Sequence, residues 1–252
     1  MDLKEKIEIA AQWIVKANHF VAFTGAGIST SSGLPDFRGP NGVWTRRDKG
    51  LPPPKMKIPL DEVKPNENHY ALVELMNLGK LKYVISQNVD GLHLKSGIPF
   101  EKLAELHGNR FFMKCLKCRK KITFEDAGWD KNIYGNGYRT DPKRSDQPNC
   151  PHCGGRLISS IVNFGDPLPE DELEEAFQHS IESDVFFVIG SSLVVTPAAN
   201  MPGLARNNDA KLIILNQGET PYDNVADLRF FNKIKDVLLS IVDKVKFLME
   251  KS

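Results

Sequence analysis

Short runs of apolar residues alternate with amphipathic segments along most of the chain. Runs such as FVAFTGAG, DVFFVIGSS and AKLIILNQ have the length and the continuous apolar character of strands that are buried on both faces. Between them, segments such as EDELEEAFQHSIES place their apolar residues at helical spacing. Because alternating helices and strands connect parallel neighbours, the pattern predicts an α/β fold, in which a parallel sheet carries helices on both faces.

Each predicted strand ends in small or polar residues. Sheets of this kind bind ligands beyond the carboxyl ends of their strands, where the order of connection reverses. Asn88 and Asp90 follow one such strand in the segment ISQNVDGLH, which carries more hydrogen-bonding groups than a simple turn requires. We therefore expect them at one edge of a large ligand site. The residues at the four strand ends are Thr24, Gly25, Ala26 and Gly27; Ser86, Gln87 and Asn88; Gly190, Ser191 and Ser192; and Asn216 and Gln217.

The segment TGAGIS, from Thr24 to Ser29, places two glycines at a strand-to-helix turn. Backbone N–H groups in such a turn can approach a phosphate closely. The third glycine of the usual dinucleotide fingerprint is replaced by Thr30, so a tight turn that merely needs glycine explains the segment about equally well. The continuation GLPDFRG favours a binding loop, because an acidic, an aromatic and a basic side chain in succession do not suit burial in a hydrophobic core.

The four cysteines fall into two Cys-x-x-Cys pairs, Cys115 with Cys118 and Cys150 with Cys153. Two such pairs supply four thiolates for a tetrahedral zinc ion, and we favour this interpretation over two disulfides or free thiols. The 31 residues between the pairs (119–149) are more than a zinc ribbon usually has, but lengthening a loop from ~18 residues to this size costs only about 0.5 kcal/mol. Four thiolates leave no open coordination position, so the zinc is expected to be structural, and His152 is not needed as a ligand.

Composition and charge exclude several classes of function. The 252 residues carry a net charge of +1, which provides no strong field for nucleic acid or for an anionic membrane. No apolar run approaches the roughly 20 residues of a membrane-spanning helix. The first 17 residues mix charges with apolar residues at helical spacing, unlike a signal peptide, so we expect a cytoplasmic or at least intracellular protein.

His107, in the segment ELHGN, is the candidate general base. It is followed directly by Gly108, lies between two apolar segments and comes shortly after Asp90 in the sequence. An imidazole suits proton transfer near neutral pH, although an isolated histidine in such a position is more often structural than catalytic. His93 follows the polar strand end and is a candidate neighbour of the site.

Taken together, these motifs resemble the sirtuin family of NAD-dependent protein deacylases, in order and over nearly the whole chain. The residues that carry the resemblance are GAGIS, GLPDFR, QNVDGLH, ELHGN, the paired CxxC motifs, FGD, GSSL and LNQG. It implies a Rossmann-like NAD-binding domain formed by residues 1–33, 66–113 and 157–252, a cofactor-binding loop region at 34–65, and an inserted zinc-ribbon domain at 114–156. Segments such as GPNGVW and KLAELHGN are most similar to the branch of the animal chromatin-associated sirtuins, in a chain of prokaryotic size.

The resemblance also implies a role for each site residue. His107 is the catalytic histidine, and Asn88 orients a water or a ribose oxygen beside it. Val162, Asn163, Phe164 and Gly165 pair with the substrate backbone, and Cys115, Cys118, Cys150 and Cys153 bind one structural zinc. The NAD-binding residues are Gly25, Ala26, Gly27 and Ser29 towards the pyrophosphate; Asp36, Phe37 and Arg38 on the loop; Gln87, Asn88 and Asp90 at the nicotinamide ribose; and Gly190, Ser191, Ser192, Asn216, Gln217 and Lys233 along the adenosine half.

The implied reaction is removal of an acyl group from lysine with consumption of NAD, which releases nicotinamide and O-acyl-ADP-ribose. Two alternatives remain open: mono-ADP-ribosyl transfer from the same NAD site, and a non-catalytic zinc-ribbon module that binds nucleic acid. Asn163 and Asp166 stand where many family members have a bulkier apolar residue and a Glu, so the acyl preference is open. The expected partners are acyl-lysine proteins, with no strong case for nucleic acid and with no membrane; a monomer is plausible, and the sequence does not determine the oligomeric state.

Overall fold

The computed structural model describes residues 1–56 and 58–251, and its strands form two sheets. The strands of the larger sheet are β1 (Phe20–Thr24), β2 (Leu81–Ser86), β3 (Leu103–Glu105), β7 (Val185–Ile189), β8 (Lys211–Leu215) and β9 (Leu228–Phe230). Those of the smaller sheet are β4 (Phe112–Cys115), β5 (Lys121–Thr123) and β6 (Leu157–Ser159). The large sheet is parallel throughout, with the order β3-β2-β1-β7-β8-β9. This arrangement confirms the predicted α/β class.

Helices cover both faces of the large sheet. In chain order the helices are α1 (Leu3–Lys16), α2 (Val43–Asp48), α3 (Glu67–Asn77), α4 (Leu92–Ser96), α5 (Lys131–Tyr134), α6 (Glu170–Glu182), α7 (Met201–Asn207) and α8 (Ile234–Glu250). Short 3₁₀ helices lie at Ala26–Ser32, Leu60–Glu62, Phe100–Lys102 and Ala198–Asn200. Helices α1 and α3 pack against α8 on one face, and α6 packs against α7 on the other.

The core is divided between the two faces by the alternation of side chains along each strand. From β1, Ala22 joins one buried cluster with Phe187 of β7, whereas Val21 joins the other with Phe186. Because successive side chains of a strand point to opposite faces, the continuous apolar runs in the sequence fill both layers at once. This is why the strands read as unbroken hydrophobic stretches rather than as alternating ones.

The strand order places a topological switch point between β1 and β7. From β1 the chain adds strands outward to β2 and β3, and later it returns to add β7, β8 and β9 on the other side. The crevice beyond the carboxyl ends of the two central strands is therefore the expected ligand site. Gly25 and Gly27 lie there against Gly190, and a Cβ at Gly27 would be only 2.7 Å from the Gly190 Cα.

The smaller sheet is an antiparallel unit inserted between β3 and α6. Its order is β5-β4-β6, and its own buried cluster contains Met113, Trp129 and Leu157 together with Cys115 and Cys150. Cys115 ends β4, and the other three cysteines lie outside the strands of this sheet. The predicted separate zinc-binding module is thus present as a small sheet with an independent core.

The structure contains elements that the sequence pattern did not predict. Residues 34–65 were expected only as a cofactor-binding loop region, yet α2 and the short turn at Leu60–Glu62 form there. Lys57, in the same region, lies outside the described residues. The start of α2 is fixed by the loop before it, because Val43 N–H donates to the Asp36 carbonyl. Strands β3 and β9 have three residues each, which is too short for a recognisable period. Across residues 1–56 and 58–251, none of the helices combines the length and the apolar character that crossing a membrane requires.

The contact at the switch point gives a stability prediction. Gly27→Ala should lower the free energy of unfolding by about 1–3 kcal/mol, because the new Cβ overlaps backbone that cannot move without shifting β7. Gly218→Ala is the control, since its Cβ would meet only the Asn216 amide at 3.7 Å, and the change should stay within about 0.5 kcal/mol. Urea denaturation of both variants measures the difference. Equal stabilities would show that the close approach is not a constraint.

Candidate functional site

Asn88 connects the end of β2 to the turn that follows β1. Its side chain is 7% exposed, and the amide nitrogen donates to the Gly25 carbonyl and to Ser29 Oγ, both at 3.3 Å. Its backbone N–H donates to Ser86 Oγ at 3.1 Å. The structure therefore brings Asn88, Gly25 and Ser29 together at the switch point, as the sequence predicted for one edge of a ligand site.

Asp90 lies on the same side and is bound through both carboxylate oxygens. Ser29 Oγ donates to one oxygen at 2.7 Å, and the Leu92 N–H at the start of α4 donates to the other at 2.9 Å. Gly91 is the N-cap of α4, so Asp90 shapes the turn that precedes the helix. A charge held in this way is oriented before any ligand arrives.

Gln87 and Ser191 connect β2 with β7 across β1. The Gln87 amide donates to Ser191 Oγ at 2.7 Å, and its backbone N–H donates to the Thr24 carbonyl at 3.0 Å. Gly190 precedes this contact with a φ of +67°, a left-handed conformation that favours glycine. Ser192 follows it, half-buried. Three of the four predicted strand ends thus converge.

The fourth strand end lies farther along the same edge. Asn216 follows β8, and its backbone carbonyl accepts a hydrogen bond from Arg229 Nη1 at 2.6 Å. Gln217 is exposed, and Lys233 is exposed at the start of α8. Arg229 was not anticipated from the sequence, where it is one basic residue in an unremarkable segment. It orders the segment after β8 through further bonds to Gly218 and Asp223.

His107 lies just after β3, half-buried at the same end of the sheet. Its Nδ1 is 2.8 Å from the Gln87 carbonyl oxygen. Because a carbonyl oxygen only accepts, Nδ1 carries the proton and Nε2 carries the lone pair. No residue in the described part of the chain bonds to Nε2. Burial lowers the pKa of His107 below its usual range, although the bond to Gln87 acts in the opposite direction, so the ring is a neutral base at pH 7.

The predicted loop triplet is organised around an aromatic residue that the sequence analysis did not single out. Asp36 Oδ1 accepts the Gly39 N–H at 2.9 Å and shapes the loop. The Trp44 ring lies 5.2 Å from Phe37 and 5.3 Å from Phe164, with the Arg38 guanidinium 4.7 Å from its centre. Trp44 therefore connects the predicted cofactor loop to the predicted substrate segment.

The predicted substrate segment, residues 162–165, begins next to His107. The Val162 N–H donates to the His107 carbonyl at 2.9 Å. Asn163 and Asp166 close a turn, in which the Asn163 N–H donates to Asp166 Oδ2 at 3.2 Å. Phe164 is 80% exposed and Gly165 has a φ of +89°. The segment is thus an exposed turn whose first residue is tied to the candidate base.

Two buried histidines lie beneath the site. His69 Nε2 is 3.4 Å from Ser29 Oγ, and His93 Nε2 is 2.8 Å from Thr24 Oγ1. Burial lowers the pKa of His69 to about 3, with the nearby His93 adding to the effect, and it lowers the pKa of His93 to about 4. Both are neutral supports of the β1 turn. His93 was a predicted neighbour of the site, and His69 was not.

The four cysteines come together as predicted, and none forms a disulfide. Cys115 Sγ is 3.5 Å from Cys153 Sγ, and Cys118 Sγ is 3.7 Å from Cys150 Sγ. Four sulfurs at 2.3 Å from a central zinc would be about 3.8 Å apart, whereas a disulfide would bring two of them to about 2.05 Å. The arrangement fits one tetrahedral zinc ion.

A model of the Sir2 family matches residues 53–197. NAD-dependent protein deacetylase 1 of Pyrobaculum aerophilum is 38% identical, with 96% of each chain covered. A solved structure described as Sir2-p53 peptide-NAD+ superposes with a TM-score of 0.68 at 34% identity, covering 100% of this chain and 98% of the other.

A plant relative is longer. NAD-dependent protein deacetylase SRT1 of Oryza sativa subsp. indica is 44% identical over 243 residues, which cover 96% of this chain. The chain spans only 47% of that protein, about half its length.

The sulfur geometry gives a prediction for the metal. The purified protein should contain one equivalent of zinc, and Cys150→Ala should lose it and unfold the small sheet, because a structural zinc contributes on the order of 10 kcal/mol to such a fold. Metal analysis and thermal melting measure both effects. Ser145→Ala, an exposed change in the same module, is the control. Wild-type protein without zinc, or a Cys150→Ala variant with unchanged melting, would contradict the site.

Proposed function

The chain belongs to the Sir2 family, the sirtuins, and we propose that it is an NAD-dependent protein lysine deacylase. The observation that carries the proposal is the position of His107. Its neutral Nε2, to which none of the described residues bonds, lies at the carboxyl edge of the sheet. Its Nδ1 bonds to the strand end that holds Asn88, and its carbonyl binds the segment at Val162. One residue thus contacts both the predicted cofactor edge and the predicted substrate segment.

The residues at the switch point fit NAD. A Cβ at Gly25 or Gly27 would overlap the backbone at Gly190, so these glycines keep the crevice floor as bare backbone, which suits close approach to a pyrophosphate. Asn88 and Asp90 add an amide and a carboxylate that suit a ribose and a cationic ring. When bound, NAD supplies an activated sugar whose bond to nicotinamide can be exchanged for a bond to the acyl oxygen of the substrate.

His107 would then act as a general base on a ribose hydroxyl. The Gln87 carbonyl fixes the Nδ1–H tautomer and orients the ring, so Nε2 receives the proton. Asn88 would orient a water or ribose oxygen beside it. Phe37, held against Trp44, would cover the reacting sugar and keep bulk water from hydrolysing it.

The substrate would be a protein segment that contains acyl-lysine. The turn at residues 162–165 offers backbone groups to an extended peptide, and peptides of this kind bind by strand addition. The solved relative described with a p53 peptide and NAD+ supports a peptide substrate here as well. No observation favours the two alternatives, ADP-ribosyl transfer and nucleic-acid binding, over deacylation.

One assay tests the proposal. Incubation with NAD and acetyl-, succinyl- or myristoyl-lysine peptides, followed by mass spectrometry, should yield nicotinamide, free lysine peptide and O-acyl-ADP-ribose with at least one acyl group. A peptide or protein that gains ADP-ribose while its acyl group stays in place would favour the transferase instead. Absence of every NAD product with all three peptides would contradict both.

Removal of the base gives a second prediction. His107→Ala should reduce deacylation by about 10²–10⁴-fold, the usual contribution of a general base, while NAD binding stays largely unchanged. Exchange of free nicotinamide into NAD should suffer less, because the base acts after nicotinamide has left. Steady-state kinetics and an exchange assay measure the two steps. Deacylation at the wild-type rate would contradict the assigned role.

The pKa direction of His107 gives a third prediction, for the pH profile. The base must be neutral, so activity is present above its pKa and is lost as the pH falls through it. Because burial lowers this pKa, the acid limb of kcat/KM should lie below pH ~6.5, the value of an unperturbed histidine. An acid limb above that pH would show that another group controls it.

A further inference from the structure

A buried group of three charges lies between the small sheet and the rest of the molecule. Lys121 of β5 places its Nζ 3.1 Å from Glu105 Oε2 and 2.9 Å from Glu172 Oε1. The three side chains are 8%, 3% and 12% exposed, respectively. They come from three different elements, since Glu105 ends β3 and Glu172 lies in the first turn of α6. Nothing in the proposed reaction uses them directly.

Charges buried to this degree persist only when they are paired and hydrogen-bonded. Burial raises the pKa of Glu105, and Lys121 acts against that rise. Burial also acts to lower the pKa of Lys121, but the two facing carboxylates outweigh it and raise that pKa. Lys121 is therefore a cation at neutral pH, and its removal would leave two carboxylates facing each other without a counterion.

Glu105 connects this charged group to His107, which lies two residues later in the same turn. Glu105 Oε1 accepts a hydrogen bond from the Asn109 amide at 2.6 Å, and the Glu105 N–H donates to Glu172 Oε2 at 2.6 Å. The Gly108 N–H closes the turn by donating to the Glu105 carbonyl at 2.8 Å. Both ends of the turn that carries His107 are thus held by the carboxylates that Lys121 neutralises.

The same turn is attached on its other side to the predicted substrate segment. Ser160 Oγ donates to the Asn109 carbonyl at 2.6 Å and accepts the Asn109 N–H at 3.0 Å. Two residues later, the Val162 N–H donates to the His107 carbonyl at 2.9 Å. The turn from Glu105 to Asn109 is consequently a junction between the zinc module, the candidate base and the substrate segment.

We propose that Lys121 is a positioning residue, which holds the turn bearing His107 in its productive geometry through Glu105 and Asn109 and so couples the zinc module to the reaction. The inference rests on the proposed function and deepens it. NAD would bind chiefly at the ends of β1, β2, β7 and β8, which Lys121 does not touch. Loss of Lys121 should therefore affect turnover more than NAD binding.

The chain offers a matched control in Arg119. It joins the same small module to the same helix, with bonds of 2.5 Å to Asp171 and 2.7 Å to Glu170, but these pairs are exposed and do not reach the His107 turn. Arg119→Gln removes both ion pairs between the small module and α6 and leaves the junction intact. Exposed pairs contribute little to stability, so this variant should behave as wild type.

The test compares Lys121→Met, Lys121→Arg and Arg119→Gln, each first shown to contain one zinc per chain. Lys121→Met should lower kcat for deacylation about 10- to 100-fold, because a misplacement of 1 Å costs about 10²-fold, with KM for NAD within about two-fold. Nicotinamide exchange should fall less than product formation, and Lys121→Arg should restore part of kcat. The Nδ1–H signal of His107 in ¹H–¹⁵N NMR spectra should shift in Lys121→Met and remain in place in Arg119→Gln.

Several outcomes would overturn the inference. A zinc-loaded Lys121→Met variant with wild-type kcat and an unshifted His107 signal would do so, as would equal losses in kcat, exchange and NAD binding. If Lys121→Met does not fold, Glu105→Gln decides by the same criteria, since it keeps an acceptor for Asn109 and loses the charge. If wild-type protein shows no deacylation, the proposed function fails, and the NMR comparison alone still decides whether Lys121 positions His107.

Discussion

The close backbone contact between the turn after β1 and the end of β7 determines how the ligand crevice is built. Gly25 and Gly27 meet Gly190 backbone to backbone, at the point where the strand order reverses. A side chain at Gly27 would fill the crevice floor and push the two central strands apart. With bare backbone there, Asn88, Asp90 and Ser29 assemble around the opening. The strand order provides the crevice, and the glycines keep it accessible.

A second level of organisation joins the crevice to the inserted module. The zinc module is inserted between β3 and α6 and contributes no strand to the large sheet. Its Lys121 nevertheless pairs with Glu105, which begins the hydrogen-bonded turn that carries His107. The metal stabilises a small sheet, the sheet presents a cation, and the cation neutralises the carboxylates that hold the turn. In this view the zinc serves the reaction through position alone, since four thiolates leave it no open coordination site.

The sequence predicted the sheet, its strand-end residues and the cysteine cluster because each leaves a local pattern. No knowledge of tertiary contacts is needed to recognise continuous apolar runs, the polar residues after Ser86 or the CxxC spacing. Trp44 and Lys121 could not be found in this way. Trp44 is defined by its neighbours Phe37 and Phe164, and Lys121 by Glu105 and Glu172, which are 16 and 51 positions away along the chain. The bond from the Leu92 N–H to Asp90 could not be predicted either, because it depends on the turn at Gly91.

In the proposed reaction, removal of an acyl group from lysine is coupled to cleavage of NAD at one site built around His107. The most direct measurement is the stoichiometry of a single reaction mixture, in which NAD consumed, nicotinamide released and lysine peptide freed are quantified together. We expect equal amounts of all three, with an equal amount of acylated ADP-ribose. Lysine freed without loss of NAD, or NAD cleaved with every acyl-lysine left intact, would contradict the proposed reaction.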